Sequence, residues 1–143
     1  MIRAATGGLV LLALLPFALA VTRAAADPTR GERVFQRCYA CHSVVAGEDR
    51  LPGPSLRCVL GRRAGTLAGF EFSRAMVEAG AARELVWTRT TLDAFLIDPQ
   101  RLVPGVPMWI PGLASAQDRR DLINYLEQAV SCPVEAPPPP GQP

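Results

Sequence analysis

Four cysteines, a single histidine and three methionines are the residues of this chain whose types and spacing could do specific chemistry. Cys38-Tyr39-Ala40-Cys41-His42 has the pattern C-x-x-C-H. Two thiols so spaced can add to the vinyl groups of a haem, and the adjacent imidazole is left facing the iron. Two other chemistries compete. A dithiol redox site of the C-x-x-C kind needs a βαβ setting, which the sequence does not suggest. A structural zinc would need two more ligands, and Cys58 and Cys132 lack any paired spacing. Because His42 directly follows the cysteines, covalent haem attachment is the reading these residues favour.

The second axial position decides what such a haem could do. A methionine closes the iron and favours electron transfer at raised potential, whereas an open position binds small ligands. Met76 lies on a helical stripe with Phe72 and Ala79, where a methionine usually fills core. Met108 sits in Pro104-Gly105-Val106-Pro107-Met108-Trp109-Ile110-Pro111-Gly112-Leu113, whose prolines and glycines exclude helix. With no helix face to fill, Met108 is the expected ligand, and His42 and Met108 together form the expected metal set. A five-coordinate haem with Met108 displaced is the enzyme or sensor alternative.

These residues need elements to hold them. Asp27 suits a helix N-cap and Pro28 the first helical position, while Val34/Cys38 and Phe35/Tyr39 repeat at four-residue spacing. An opening helix leading straight into the cysteines is predicted. From His42 to Phe70, Gly47, Pro52, Gly53, Pro54, Gly61, Gly65 and Gly69 break any regular element, and a structureless stretch that long usually carries function. Short helices are predicted over Ser73–Ala79 and from Thr88 or Thr90 to Asp98, the latter with Leu92, Phe95 and Leu96 inward and Pro99 ending it. Ser115 and Asp118 start the best helix in the manner of a capping box, and Leu122, Ile123, Tyr125, Leu126, Ala129 and Val130 form its apolar stripe. No repeat and no alternating strand pattern is present. The fold class is all-α, with about four to five helices and long loops around one haem.

The first residues differ in kind from the rest. Arg3 precedes an apolar run from Gly7 to Val21, and Ala24-Ala25-Ala26 precedes Asp27, the order of a secretory signal peptide. A run of roughly fifteen residues containing Pro16 is short for a membrane span, which takes about twenty. An uncleaved anchor is the alternative, and Ala18-Leu19-Ala20 offers a second cleavage point. The expected organisation is a signal peptide over 1–26, one domain over 27–132 and a Pro-rich, extended tail over 133–143. Removing residues 1–26 takes Arg3 and Arg23 away and brings basic and acidic residues into balance. No bulk charge points to nucleic acid. All fifteen basic residues are arginine.

With these motifs in place, the stretch from about residue 28 to 130 resembles class I cytochrome c of the mitochondrial or bacterial c2-like kind. The resemblance rests on Gly31-Glu32-Arg33-Val34-Phe35 before Cys38, Gly53-Pro54-Ser55-Leu56, Gly61-Arg62-Arg63-Ala64-Gly65, Trp87 and the loop around Met108. It implies one covalently bound haem c, held by Cys38 and Cys41 with His42 and Met108 on the iron. It further implies that the Pro54 carbonyl orients the His42 ring, that Arg62 and Trp87 contact a haem propionate, and that Gly31 and Phe35 pack on Leu122 and Tyr125. Read without the resemblance, Trp87 is a buried aromatic and Arg62 a solvated charge.

The chain also departs from the pattern. Phe95 and Phe72 stand where tyrosines are frequent, and Arg57-Cys58 where His-Gly is usual. No lysine ring surrounds a haem edge, which leaves Arg33, Arg37, Arg57 or Arg101 for docking to an acidic partner. The resemblance brings the loop after Leu56 beside the end of the last helix. Cys58 and Cys132 are therefore expected to pair as a disulfide in an oxidising compartment, two separate thiols being the alternative.

The expectation as a whole is a periplasmic, monomeric electron carrier rather than an enzyme. Its partners would be membrane redox complexes (a quinol-oxidising complex, a terminal oxidase or a reaction centre) or a periplasmic dehydrogenase.

Overall fold

The computed structural model describes residues 27–128. The expected signal peptide over 1–26, the tail over 133–143, and Ala129, Val130 and Cys132 lie outside the described residues.

Five helices follow one another: α1 (Pro28–Phe35), α2 (Arg74–Ala81), α3 (Arg89–Ile97), α4 (Pro99–Leu102) and α5 (Ala116–Gln128). Among the described residues there is no strand, only one isolated bridge between Arg63 and Val86. The fold is the expected all-α type, and its helices begin where local chemistry starts them. Asp27, Ser73 and Thr88 each cap a helix by accepting a backbone N–H, at Thr29, Met76 and Thr91 respectively. Thr88 and Thr91 satisfy each other reciprocally, a threonine version of the capping box. Ser115 Oγ accepts the Asp118 N–H at 3.1 Å.

Helices α1 and α5 cross where Gly31 replaces a side chain. A Cβ on Gly31 would lie 2.1 Å from the Asp121 carbonyl oxygen and 2.6 Å from the Tyr125 Cβ. Phe35 and Tyr125 close the crossing with ring centroids 5.5 Å apart. The core continues through Leu122, Ile123 and Leu126 of α5, Leu92, Phe95 and Leu96 of α3, Met76 and Ala79 of α2, and Val59, Ala64, Trp87, Val103 and Val106 from loops. Loop residues make up much of the core because the helices are few and short.

Three details differ from the sequence reading. α1 stops at Phe35 rather than running into the cysteines; Cys38 N–H reaches Phe35 O at 2.7 Å, which tightens the chain into successive turns. Tyr39 is therefore exposed, although its spacing from Phe35 suggested a shared face. Pro99 does end α3, but it also opens α4, because Asp98 caps α4 by accepting the Arg101 N–H.

Candidate functional site

His42 follows two nested turns, in which the Cys41 and His42 N–H groups both bond to Cys38 O at 3.0 and 2.9 Å. Gly53–Leu56 runs back alongside: Gly53 N–H donates to Cys41 O, and Leu56 N–H to Ser43 O, both at 2.8 Å. This brings the Pro54 carbonyl 2.7 Å from His42 Nδ1. With Nδ1 donating to a carbonyl, the proton is held there and Nε2 presents its lone pair, the tautomer a metal requires. Burial pushes the imidazole below its ordinary pKa, with the Pro54 contact opposing, and so favours the neutral, ligating form. The approach depends on glycine, since a Cβ on Gly53 would meet His42 Cε1 at 2.5 Å.

Cys38 is half-buried and Cys41 exposed, and neither is in a disulfide. Burial raises the Cys38 thiol above its ordinary value, Arg37 opposes and Cys41 adds to the rise. A redox dithiol needs the opposite, a stabilised thiolate. Among the described residues no group of three His, Cys, Asp or Glu side chains could hold a metal ion, so a zinc at Cys38 and Cys41 lacks its remaining ligands there. Thiols for attachment, a neutral imidazole with Nε2 unused and apolar neighbours fit a haem.

Arg62 and Trp87 share a ladder around the Arg63–Val86 bridge. Trp87 N–H donates to Arg62 O, and Gly61 N–H to Trp87 O, each at 2.9 Å. Trp87 is buried edge-on against Phe95, with centroids 5.0 Å apart. The half-buried Arg62 guanidinium donates to Ser55 O at 2.8 Å and Arg57 O at 3.3 Å. Burial lowers its pKa, and among the described residues no carboxylate pairs with it. A cation so placed suits an anionic group such as a propionate.

Met76 is buried core on α2, whereas Met108 packs on the core from its loop. That loop is clamped at both ends. On one side Gln100 donates to Val106 O at 2.6 Å and accepts the Gly105 N–H at 3.1 Å. On the other, Leu113 N–H donates to Leu96 O at 2.8 Å, and the buried Arg119 donates to Leu113 O at 2.7 Å, Ala114 O at 3.0 Å and Asp93 at 2.7 Å. Gly112 allows the close approach, because a Cβ there would lie 1.8 Å from Ile97 O. Gln100 and Arg119 are not marked by the sequence, and Gly112 is marked only as one of the residues that exclude helix. Only the Pro-Gly flank of Met108 marked the loop, and the long-range partners carry no periodic signal.

The family model described as cytochrome c matches residues 28–129. "Cytochrome c2" of Rhodomicrobium vannielii is 42% identical over 103 residues, covering 72% of this chain and 79% of that protein. "Cytochrome c 2.1" of Caenorhabditis briggsae is also 42% identical, over 111 residues, covering 77% and 95%. The solved structure of cytochrome c2 from Rhodospirillum centenum superposes with a TM-score of 0.68 at 35% identity, covering 73% of this chain and 99% of the other.

Proposed function

The chain belongs to the cytochrome c family, whose members carry one covalently attached haem c and transfer electrons rather than catalyse reactions, and from that premise we propose that Cys38 and Cys41 hold the haem and His42 and Met108 ligate its iron. The observation that carries the assignment is the 2.7 Å contact between His42 Nδ1 and the Pro54 carbonyl, which fixes the ring and leaves Nε2 for a metal. When bound, the haem supplies a one-electron couple. The protein's own work is to attach it, orient the imidazole, exclude water with Trp87, Phe95 and Leu92, and neutralise a propionate with Arg62.

Docking to a redox partner would use the face of the Met108 loop. Trp109 is 82% exposed and Ile110 41% beside the ligand, an unusual concentration of apolar surface for a loop tip. Arg33, Arg37 and Arg101 are exposed and Arg57 is half-buried, and these supply the positive charge that relatives draw from lysine. The donor and acceptor classes are a quinol-oxidising complex, a terminal oxidase, a reaction centre or a periplasmic dehydrogenase. Periplasmic residence, with residues 1–26 as a removed leader ahead of a domain over 27–132, is supported by the order of charged, apolar and small residues at the N-terminus.

Absorption spectra of the exported protein in both oxidation states test the assignment. A haem that stays bound after denaturation and a weak far-red band of the oxidised form, lost in Met108→Ala, are expected. A protein without haem absorption, or with an unchanged far-red band in Met108→Ala, refutes it.

A further inference from the structure

Asp121 on α5 is fully buried. Its Oδ1 accepts the Asp27 backbone N–H at 2.8 Å and a Gln117 amide N–H at 2.8 Å, both neutral donors. Among the described residues its Oδ2 has no hydrogen-bond partner. Arg30 Nε lies 3.1 Å from Oδ2, but off hydrogen-bonding geometry, and that guanidinium is 44% exposed and donates to Asp118 at 2.8 Å. A buried carboxylate contacted mainly by neutral amides is under-compensated. Asp27 and Asp118 reach solvent beside Arg30, Arg33 and Arg37, whereas Asp121 is the fully buried carboxylate of the cluster.

We propose that the leader is cut between Ala26 and Asp27, and that the ammonium group so freed on Asp27 is the counter-charge of buried Asp121. The proposal rests on the reading of residues 1–26 as an exported leader. Water adds across the Ala26–Asp27 amide, leaving a carboxylate on Ala26 and an amine on Asp27 that takes up a proton. This places one positive charge and three donors 2.8 Å from Asp121 Oδ1 without moving the atoms that α1 already fixes. Asp27 is held there by its own cap: its Oδ1 accepts the Thr29 N–H, and its carbonyl accepts the Gly31 N–H, both at 2.9 Å.

Cleavage after Ala20 fits the small-residue rule equally well but would leave the Asp27 nitrogen a neutral amide. The new charge sits at the end of α1 that the helix dipole makes positive. The fully buried Asp121 carboxylate, 2.8 Å from the amine, has that repulsion to overcome. The charged groups of the cluster around the amine are the Asp27 carboxylate, Arg30 and Arg33 at α1, Arg37 just beyond it, and Asp118 and Asp121 from α5.

The full chain is produced with its own leader in a bacterial host, and the purified holoprotein is sequenced from its N-terminus. Asp-Pro-Thr-Arg is expected. Val-Thr-Arg-Ala overturns the proposal and leaves export standing, whereas Met-Ile-Arg-Ala overturns both. Because the chain has no lysine, an amine-reactive label reports on the terminal amine alone. Its pH-dependent labelling should show a midpoint above the ordinary α-amino range of about 7.7–8.0. Asp121→Asn should lower that midpoint by about one unit, a tenfold change in proton affinity. A midpoint in the ordinary range in the unmodified protein overturns the pairing, whether or not the variant folds.

Discussion

Replacing Gly112 by alanine should release the proposed iron ligand Met108 from four residues away. Gly112 has no positive φ, so alanine is not strained by its backbone angles, and the whole effect comes from the space it needs. The added Cβ would stand 1.8 Å from Ile97 O and 2.7 Å from Ile97 C, where ordinary contact begins at 3.4 Å. The loop must retreat by about 1.6 Å, since neither side of the clash is a flexible side-chain end. A retreat of that size breaks the 2.8 Å bond from Leu113 N–H to Leu96 O. The lost bond costs about 1 kcal/mol and the overpacking about 1–3 kcal/mol, roughly 2–4 kcal/mol together. A metal–ligand bond tolerates about 0.2 Å, far less than the retreat. The oxidised holoprotein should therefore lose most of its far-red band, and its guanidinium midpoint should fall by about 1 M. A full far-red band together with a midpoint within about 0.2 M of the unmodified protein would show that the loop is not held against α3 as described.

Gly31→Ala should lower the melting temperature by about 8–16 °C. The clash with the Asp121 carbonyl outweighs the gain of about 1 kcal/mol in helix propensity, and an unchanged or higher melting temperature would contradict the α1–α5 crossing. Met108→Ala should keep the covalent haem, lose the far-red band and lower the reduction potential, while Met76→Ala destabilises without touching either; the reverse pattern in potentiometry exchanges their roles. Alkylation of the unreduced, denatured holoprotein should add no label if Cys58 and Cys132 are paired, and two labels by mass would end that proposal. Burial, reinforced by Glu32, holds the Tyr125 phenol above its ordinary value. Folded stability should thus fall as pH rises through the phenol's range, and Tyr125→Phe should flatten that limb in denaturant titrations.

The fold was legible where a cause is local. Asp27, Ser73, Thr88 and Ser115 announce helix starts because a short polar side chain can cap only its own first turn. Helix ends were less legible: α1 stops at Phe35 through turn bonds to Cys38 and Tyr39 that the four-residue apolar spacing cannot reveal. For the candidate site, C-x-x-C-H and the Pro-Gly flank of Met108 stand out in the sequence. Nothing near His42 points to Pro54, Arg62 or Trp87, which entered through resemblance alone. Arg119, Gln100 and Gly112 act across the fold on backbone carbonyls, so only the folded geometry identifies them.

The two clamps of the Met108 loop also divide the molecule in time. Outside them, Val103, Leu113 and Leu122 are buried in the core. Between them, the N–H groups of Met108, Trp109 and Ile110 make no backbone hydrogen bond among the described residues, and Pro107 and Pro111 have none to offer. The ligand-bearing span can therefore lift as a unit of its own, at a free energy well below that of global unfolding. Amide exchange at Met108, Trp109 and Ile110 would then run far ahead of exchange at Leu113, so the proposed ligand would ride on the least protected stretch of the loop.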